Sequence, residues 1–480
     1  MPDFRLSPFY WKDRYSITVV IFIWILFTAS YILYGEHIVE FYWMISAFFI
    51  VIIYFFGVSF FQRNWCSISP TRFANKLFFT SFVIHLIVML ILVWIAFLEP
   101  NWPELEYVGA NDAETYNRQA SEIAALIRAG NFSQIFPTLN IFYGSIDNFG
   151  VPLIVGFVYA IFGDHIIVGK LFFVLVASGS VVLVYKITQL LWEEQVARLA
   201  SIMWMLFPYS LFWGVVIRKE ALVLFCVLLV SYLVTKMFIR NEFKFGAILL
   251  TIISLVAIFY MRTVAGVMSV ATIAMMMLLN QFKGSRIAAV TVGVGAIAAL
   301  LISLLLVGDL QFYFDRLMSA EEVFESRIRN AMRGNSLADI AGLPIFLVLS
   351  WIAPFSGMVF IDSATHNVSH SHRHYLMGGL IIWNMIALIG VYGLWRVIKD
   401  KPSETVMIWA FAIGYTIALG LTALFTSIRH PYIAMPFQMI LIAVGYTYLK
   451  NKQFVYVSFI VGVLLVLAWN IFRAAGRGGI

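Results

Sequence analysis

Apolar stretches long enough to cross a membrane recur along this 480-residue chain, and that recurrence is the strongest constraint on its fold. A helix needs about 20 consecutive apolar residues to span a bilayer. Such runs fall at about 17–34, 38–60, 77–98, 166–191, 196–216, 220–238, 245–260, 264–281, 286–307, 375–397, 404–424, 431–449 and 453–472. Two further runs, 150–162 and 343–361, are shorter or interrupted by Pro, and either span, re-enter or lie at the interface. In hydrocarbon each of these segments must satisfy its own backbone polar groups, which a helix does. The expectation is an all-α polytopic membrane protein, a bundle of about 13 transmembrane helices with amphipathic helices on its outer face. Composition agrees: 62% of the residues are hydrophobic and 12% charged, against roughly 25% charged in soluble domains. That excludes a soluble enzyme and a disordered chain.

Charge orients the runs. Lys+Arg 32 against Asp+Glu 25 gives +7, and the basic residues sit in short clusters between apolar runs. They read as cytoplasmic loop charge, with no nucleic-acid surface. Arg5, Lys12 and Arg14 precede the first run; Arg63, Arg72 and Lys76 follow the second; Lys236, Arg240 and Lys244, Lys283 and Arg286, Lys399 and Lys401, and Lys450 and Lys452 mark later turns. The first apolar run lacks a small-residue cleavage site and reads as a retained helix. The segment 99–148 carries seven acids against Arg118 and Arg128 and should face outward. The resulting units are N-terminal transmembrane helices (1–98), an extracytoplasmic loop with an amphipathic helix (99–149), a transmembrane core (150–307), an extracytoplasmic region with amphipathic and re-entrant helices (308–374), and C-terminal transmembrane helices (375–480). Cys66 and Cys226 suggest neither a bridge nor a metal site.

Polar chemistry gathers in the outward segments. In GANDAETYNRQASEIAALIRAGN, Asn111 can cap a helix, with Glu114 completing a capping box. Tyr116, Ala120, Ile123 and Ile127 then share one face, and Gly130 supplies the stop. This predicts an amphipathic helix lying on the outer membrane surface. Asp112, in its first turn, either complements the helix dipole or serves as a functional acid. Arg218, Lys219 and Glu220 interrupt an apolar stretch, as a snorkelling anchor or as a functional cluster. Arg262 is a similar, lone cation at an outer span end. In TSIRHPYIAMPF, Arg429 and His430 open a span, Pro431 suits its first turn, Pro436 loosens it a turn later, and Tyr432 belongs to the same belt. The Arg429 fork is also a phosphate-binding type. His366, His370, His372 and His374 match no defined zinc spacing, though His374, beside Arg373, suits a hydrogen bond to a phosphate or sugar. Ser319 and Glu322 cap a second expected outer helix, bearing Arg327, Arg329 and Arg333. There is no nucleotide-binding Gly-rich loop, HExxH, GxSxG or solenoid repeat.

An acid with Tyr four residues on, Asp112-Ala-Glu-Thr-Tyr116, just after an early span on the outer face, resembles the GT-C superfamily of glycosyltransferases. These are multi-span enzymes that use polyprenyl-phosphate or polyprenyl-diphosphate sugars. VPLIVGFVYAIFGDH, the span ending VYKITQLLW, and ARLASIMWMLFPYSLFWGVVIRKE are similar to that superfamily in element order. WIAPFSGM and SIRHPYIAMPF resemble its protein mannosyltransferase and aminoarabinose transferase members. The resemblance covers roughly residues 95–450. The chain departs from it in having two spans before the acid, which preserves sidedness. It also has Ala113 where a second acid stands in other members, which leaves Glu114 as the nearest carboxylate.

The resemblance implies a GT-C-like bundle and an inverting transfer of a hexosyl or pentosyl group at the extracytoplasmic face of the inner (cytoplasmic) membrane. The product would belong to cell-envelope glycan, glycolipid or polysaccharide biosynthesis. The donor is a polyprenyl-(di)phosphate sugar, and the acceptor a glycan, lipid or protein. Such a donor is already activated, so a base for the acceptor hydroxyl and cations for the departing phosphate suffice. Asp112 is the candidate base. Glu114, Tyr116, Arg218, Lys219, Glu220, Arg262, His374, Arg429, His430 and Tyr432 are the candidate substrate contacts. No metal ligand is assigned, and a divalent metal is the only cofactor left open. Three alternatives stand beside this reading: a polysaccharide polymerase or ligase using lipid-diphosphate oligosaccharides, a lipid-linked-sugar transporter or flippase, and a membrane partner subunit with no chemistry of its own.

Overall fold

The computed structural model describes residues 41–98, 111–143, 148–280, 371–421, 430–450, 454–461 and 464. The runs expected at 17–34 and 286–307, the second amphipathic helix at 319–333, the segment 343–361 and residues 366–370 of the histidine-rich loop lie outside them. Among the described residues the chain is helical, with no strand.

Helices α1 (Phe41–Trp65) and α2 (Pro70–Leu98) form the first hairpin. On α2, Phe73, Leu77, Ser81, His85, Met89, Leu92 and Ala96 are buried, while Phe79, Val83, Ile87, Leu90, Trp94 and Phe97 are exposed. Intervals of three and four put the buried set on one stripe. A helix that stays apolar on its exposed side is what a bilayer-facing span requires. Four described helices contain stretches long and apolar enough to cross a membrane: Pro70–Phe97, Ile166–Leu191, Lys219–Arg240 and Gly378–Asp400. This is fewer than the runs read from hydropathy. The 196–216 run, for example, divides at Phe207–Pro208 into α7 and α8, described below.

The next hairpins build the core. The chain passes through α3 (Asn111–Arg128), α4 (Ile135–Tyr143) and α5 (Gly150–Phe162). It continues as α6 (Ile166–Leu191), α7 (Glu194–Leu206), α8 (Pro208–Trp213), α9 (Lys219–Arg240), α10 (Phe245–Met261) and α11 (Thr263–Asn280). Short turns join α6, α7–α8, α9 and α10 into an up-down succession, with α6 against α2, α7 and α9. The turns after α1, α6, α9 and α12 (Ser371–Asp400) share one end of the bundle, where Arg198 donates to the carbonyls of Trp65, Cys66 and Ile68, and Lys401 donates to that of Leu191 at 3.0 Å. Arg63, Arg240, Lys244 and Lys399 lie at these turns too, so this is the basic end.

The opposite end receives α3 and α5. A Cβ on Gly150 would strike Met261 at the end of α10, and Gly163 leads directly into α6. Both ends of α5 thus sit at the same end of the bundle, and the 150–162 run does not cross. The buried Ala113, Tyr116, Ala120, Ile123 and Ala124 of α3 lie along one side, and Gly156 of α5 brings its backbone against Ala120 and Ile123. This apolar face is covered by protein, whereas the sequence reading laid it on the lipid surface. The helix ends in a paired turn: Gly130 N–H to Ile127 O at 3.1 Å and Asn131 N–H to Leu126 O at 2.9 Å, with Gly130 at φ +73°. Only a residue without a Cβ adopts that turn freely.

The C-terminal helices α12, α13 (Val406–Leu421) and α14 (Met435–Tyr448) complete the bundle. Pro436 stands in the first turn of α14 rather than a turn inside a span, and Pro431 belongs to a 3₁₀ turn, His430–Ile433, that precedes it. α12 and α14 meet backbone to backbone: a Cβ on Gly393 would lie 1.8 Å from the Leu441 carbonyl oxygen, and one on Gly445 2.2 Å from that of Ile389. Gly393→Ala should therefore force the helices apart and cost about 1–3 kcal/mol. The matched control is Gly246→Ala, whose added Cβ meets nothing within 4 Å. Thermal unfolding in lipid nanodiscs should show a lowered Tm for the first and none for the second.

Candidate functional site

At the end opposite the basic turns, two breaks between helices, residues 214–218 and the single residue 262, turn arginines inward. Arg262 has an extended backbone (φ −161°, ψ 96°) that ends α10 one residue before α11 begins. Arg218 is likewise extended (φ −141°, ψ 154°) and precedes α9. Arg218, Glu220 and Arg262 are 6%, 1% and 8% exposed. Glu220, in the first turn of α9, accepts a hydrogen bond from Arg262 Nη2 at 3.0 Å. The lone cation of the sequence is thus one half of a buried ion pair. The Arg218 guanidinium stacks over the Trp213 ring, 5.2 Å from its centroid. Tyr116 and Tyr415 lie within electrostatic reach of Arg262, and Tyr432 within reach of Glu220.

A second contact ties α3 to this pair of helices. Asn148, two residues before α5, accepts from the Tyr116 hydroxyl at 3.2 Å and from Lys219 Nζ at 2.8 Å. Asp112, Tyr116 and Gln119 follow one another at i, i+4 and i+7, so they share a stripe of α3. The half-buried Asp112 is therefore one turn from the side chain that reaches Asn148. Glu114, two residues along, diverges from Asp112 by about 200° around the helix axis and is no stand-in for a second acid on the same stripe. Other bonds hold α3 in place: Tyr159 hydroxyl to Asn117 at 2.6 Å, Arg128 Nη2 to Tyr159 O at 2.6 Å, and Ser121 hydroxyl to Asp164 at 2.7 Å.

The structure thus brings together Tyr116, Lys219, Glu220 and Arg262, with Asp112 a turn away and Arg218 on the adjoining break. Tyr432, 1% exposed, packs its ring 5.5 Å from Trp204 in the interior. Arg429 lies outside the described residues, as do the side chains of His430 and His374, although His374 falls within α12 and His430 opens the 3₁₀ turn. Among the described residues no group of three or more His, Cys, Asp or Glu is placed to hold a metal ion. Sequence reasoning missed Asn148, Trp213 and Tyr415. The partners of Asn148 and Tyr415 stand far away along the chain, where no spacing rule reaches, and Trp213, five residues before Arg218, reads as one more apolar residue of its run. Chemically, the arrangement gathers the Glu220 carboxylate, an ammonium and two guanidinium groups, with the Asp112 carboxylate one turn from Tyr116.

By composition and by the fold of its described residues, this is a helical protein of membrane character. No protein-family model matches the chain, and no curated protein matches it. A solved structure, the archaeal oligosaccharyltransferase AglB from Archaeoglobus fulgidus in complex with an inhibitory peptide and a dolichol-phosphate, is similar over 85% of this chain and 56% of its own, with 14% identity and a TM-score of 0.47. The chain therefore spans little more than half the length of that protein.

Proposed function

We propose that the protein is a GT-C-type membrane glycosyltransferase that moves a sugar from a polyprenyl-phosphate or polyprenyl-diphosphate donor to an acceptor hydroxyl at the extracytoplasmic face. The observation that carries the reading is the meeting of the Asp112-bearing helix with Lys219, Arg218 and the Glu220–Arg262 pair at one end of the bundle. The donor brings its own activation, and its phosphate sits where a bilayer meets water. Asp112 accepts the proton of the attacking hydroxyl. Lys219 and Arg218 stabilise the charge that develops on the departing phosphate, and Arg262, held by Glu220, supports them. One displacement by a base-activated hydroxyl inverts the anomeric carbon. Arg429, His430 and His374 remain candidate contacts to the donor.

A transporter would carry its ionisable groups near mid-bilayer. The cluster lies instead at helix ends, which favours the enzyme. The test is an assay of purified protein in lipid with radiolabelled polyprenyl-phosphate sugars: transfer of label to an acceptor is expected, and silence with every lipid-linked donor overturns the reading. Sidedness has its own check. The basic end is the cytoplasmic end under the positive-inside rule, and the exposed Cys66 lies there. In intact cells a membrane-impermeant maleimide should label Asp112→Cys in a Cys-free background without permeabilisation, and native Cys66 only after it. The reverse pattern would invert the topology.

A further inference from the structure

We propose that His85 is a positioning residue: from the middle of α2 its Nε2–H holds the carbonyl at which α8 ends, and so fixes the 214–218 break that carries Arg218. The inference rests on the reading of Arg218 given above, as a contact to the departing phosphate, and adds the residue that aims it. An ionisable side chain inside a membrane span is costly and is kept for a reason. His85 is fully buried. Its Nε2 lies 3.3 Å from the Ser210 carbonyl oxygen, and its Nδ1 lies 3.2 Å from the Ser81 hydroxyl and 2.8 Å from the Ser81 carbonyl oxygen.

The surrounding groups place the proton on Nε2. A neutral imidazole has one N–H and one bare nitrogen. With the proton on Nε2, the ring donates to Ser210 O and accepts from the Ser81 hydroxyl, so both buried side chains are paired. With the proton on Nδ1, the Ser81 hydroxyl hydrogen loses its acceptor, and Nε2 faces an oxygen with no proton between them. The Ser81 carbonyl does not need the ring, being the helical acceptor of the His85 amide.

Ser210 O is where the chain leaves α8. It also accepts from Gly214 N–H at 3.0 Å. Gly214 is wedged there: an added Cβ would lie 2.5 Å from Ser210 O, 2.7 Å from Ala177 of α6 and 3.0 Å from the His85 ring. Residues 214–218 are all buried, which non-helical backbone at membrane depth requires. Trp213, the last residue of α8, underlies the Arg218 guanidinium. His85 therefore holds both the ring on which Arg218 stacks and the start of the backbone that leads to it.

The experiment takes the full-length protein in nanodiscs and reads hydrogen exchange of the 214–218 amides by mass spectrometry beside transfer of label from polyprenyl-phosphate sugars. A glutamine amide reaches the place of Nε2–H, whereas leucine has no donor. His85→Leu should speed exchange at 214–218 about tenfold, as one lost buried hydrogen bond allows. The same variant should slow transfer about 10–10²-fold, the cost of a misplaced group, and His85→Gln should restore both readouts. Ser81→Ala strips Nδ1 of its donor. It should reproduce part of both effects, and none in the His85→Gln background. Added to Arg218→Met, His85→Leu should slow transfer less than about twofold further, since coupled sites are not additive. A purely structural role predicts the full loss in either background. Unchanged exchange in His85→Leu, a glutamine variant as poor as leucine, or full additivity with Arg218→Met overturns the His85 assignment alone. If the natural protein transfers no sugar from any lipid-linked donor, the glycosyltransferase reading fails, and the exchange rates alone then decide whether His85 sets the break.

Discussion

Asp112→Asn should reduce sugar transfer by about 10²–10⁴-fold, the usual contribution of a positioned general base, while leaving the protein folded. Asparagine keeps the volume and the hydrogen-bonding oxygen of the side chain but cannot accept a proton at neutral pH. The competing account is that Asp112, with Glu114, only complements the dipole of α3, in whose first turn both stand. A surface dipole contact is worth about 0.3–1 kcal/mol, so that account predicts a slightly lowered Tm and unchanged turnover. The two accounts diverge in opposite readouts, and one preparation of the variant, measured for unfolding and for label transfer, decides between them. Glu114→Gln is the internal control. It removes the same dipole complement from another face of α3 and should leave turnover within a few fold of the natural protein. Loss of activity in both variants with loss of Tm in both would move the role from chemistry to helix stability.

What the sequence makes legible, and what it does not, follows from the range of the interactions involved. Membrane character and the helices α2, α6, α9 and α12 follow from local composition alone, and so does α3, whose face at intervals of three and four and whose Gly130 stop are written within 20 residues. Hydropathy was misled where backbone geometry overrides it. It ran 196–216 as one segment across Phe207–Pro208, and it left open the fate of 150–162, which only the contacts of Gly150 with the end of α10 decide. The site itself is long-range. Glu220 and Arg262 are 42 residues apart, and Lys219 and Asn148 are 71 apart. No spacing rule joins them, because the α9–α10 hairpin and the return of α5 to the same end of the bundle are what bring them together. Arg262 read as a lone cation for that reason.

The buried pair carries the other large expectation, this one on stability. Glu220 and Arg262 present side chains 1% and 9% exposed, with 3.0 Å between the charged atoms. Removing one partner of such a pair leaves the other charge buried without compensation, which costs about 3–5 kcal/mol. Glu220→Gln should therefore lower Tm sharply, and Arg262→Met should do the same by a smaller margin, because a stranded carboxyl can take up a proton while a stranded guanidinium cannot give one up. The double variant Glu220→Leu, Arg262→Met removes both charges and fills the space with apolar groups. Buried pairs replaced in this way are often neutral or stabilising, so its Tm should return close to the natural value. A strong coupling between the two positions, read as recovery in the double variant, identifies the pair as a mutual constraint that closes the α9–α10 hairpin. Additive losses would mean that each residue is held by separate neighbours. The same double variant then separates architecture from chemistry: a folded protein with the pair erased should still bind polyprenyl phosphate through Lys219 and Arg218, but with reduced turnover, since the guanidinium that supports the departing phosphate is gone. Full turnover in that variant would confine Glu220 and Arg262 to holding helices together.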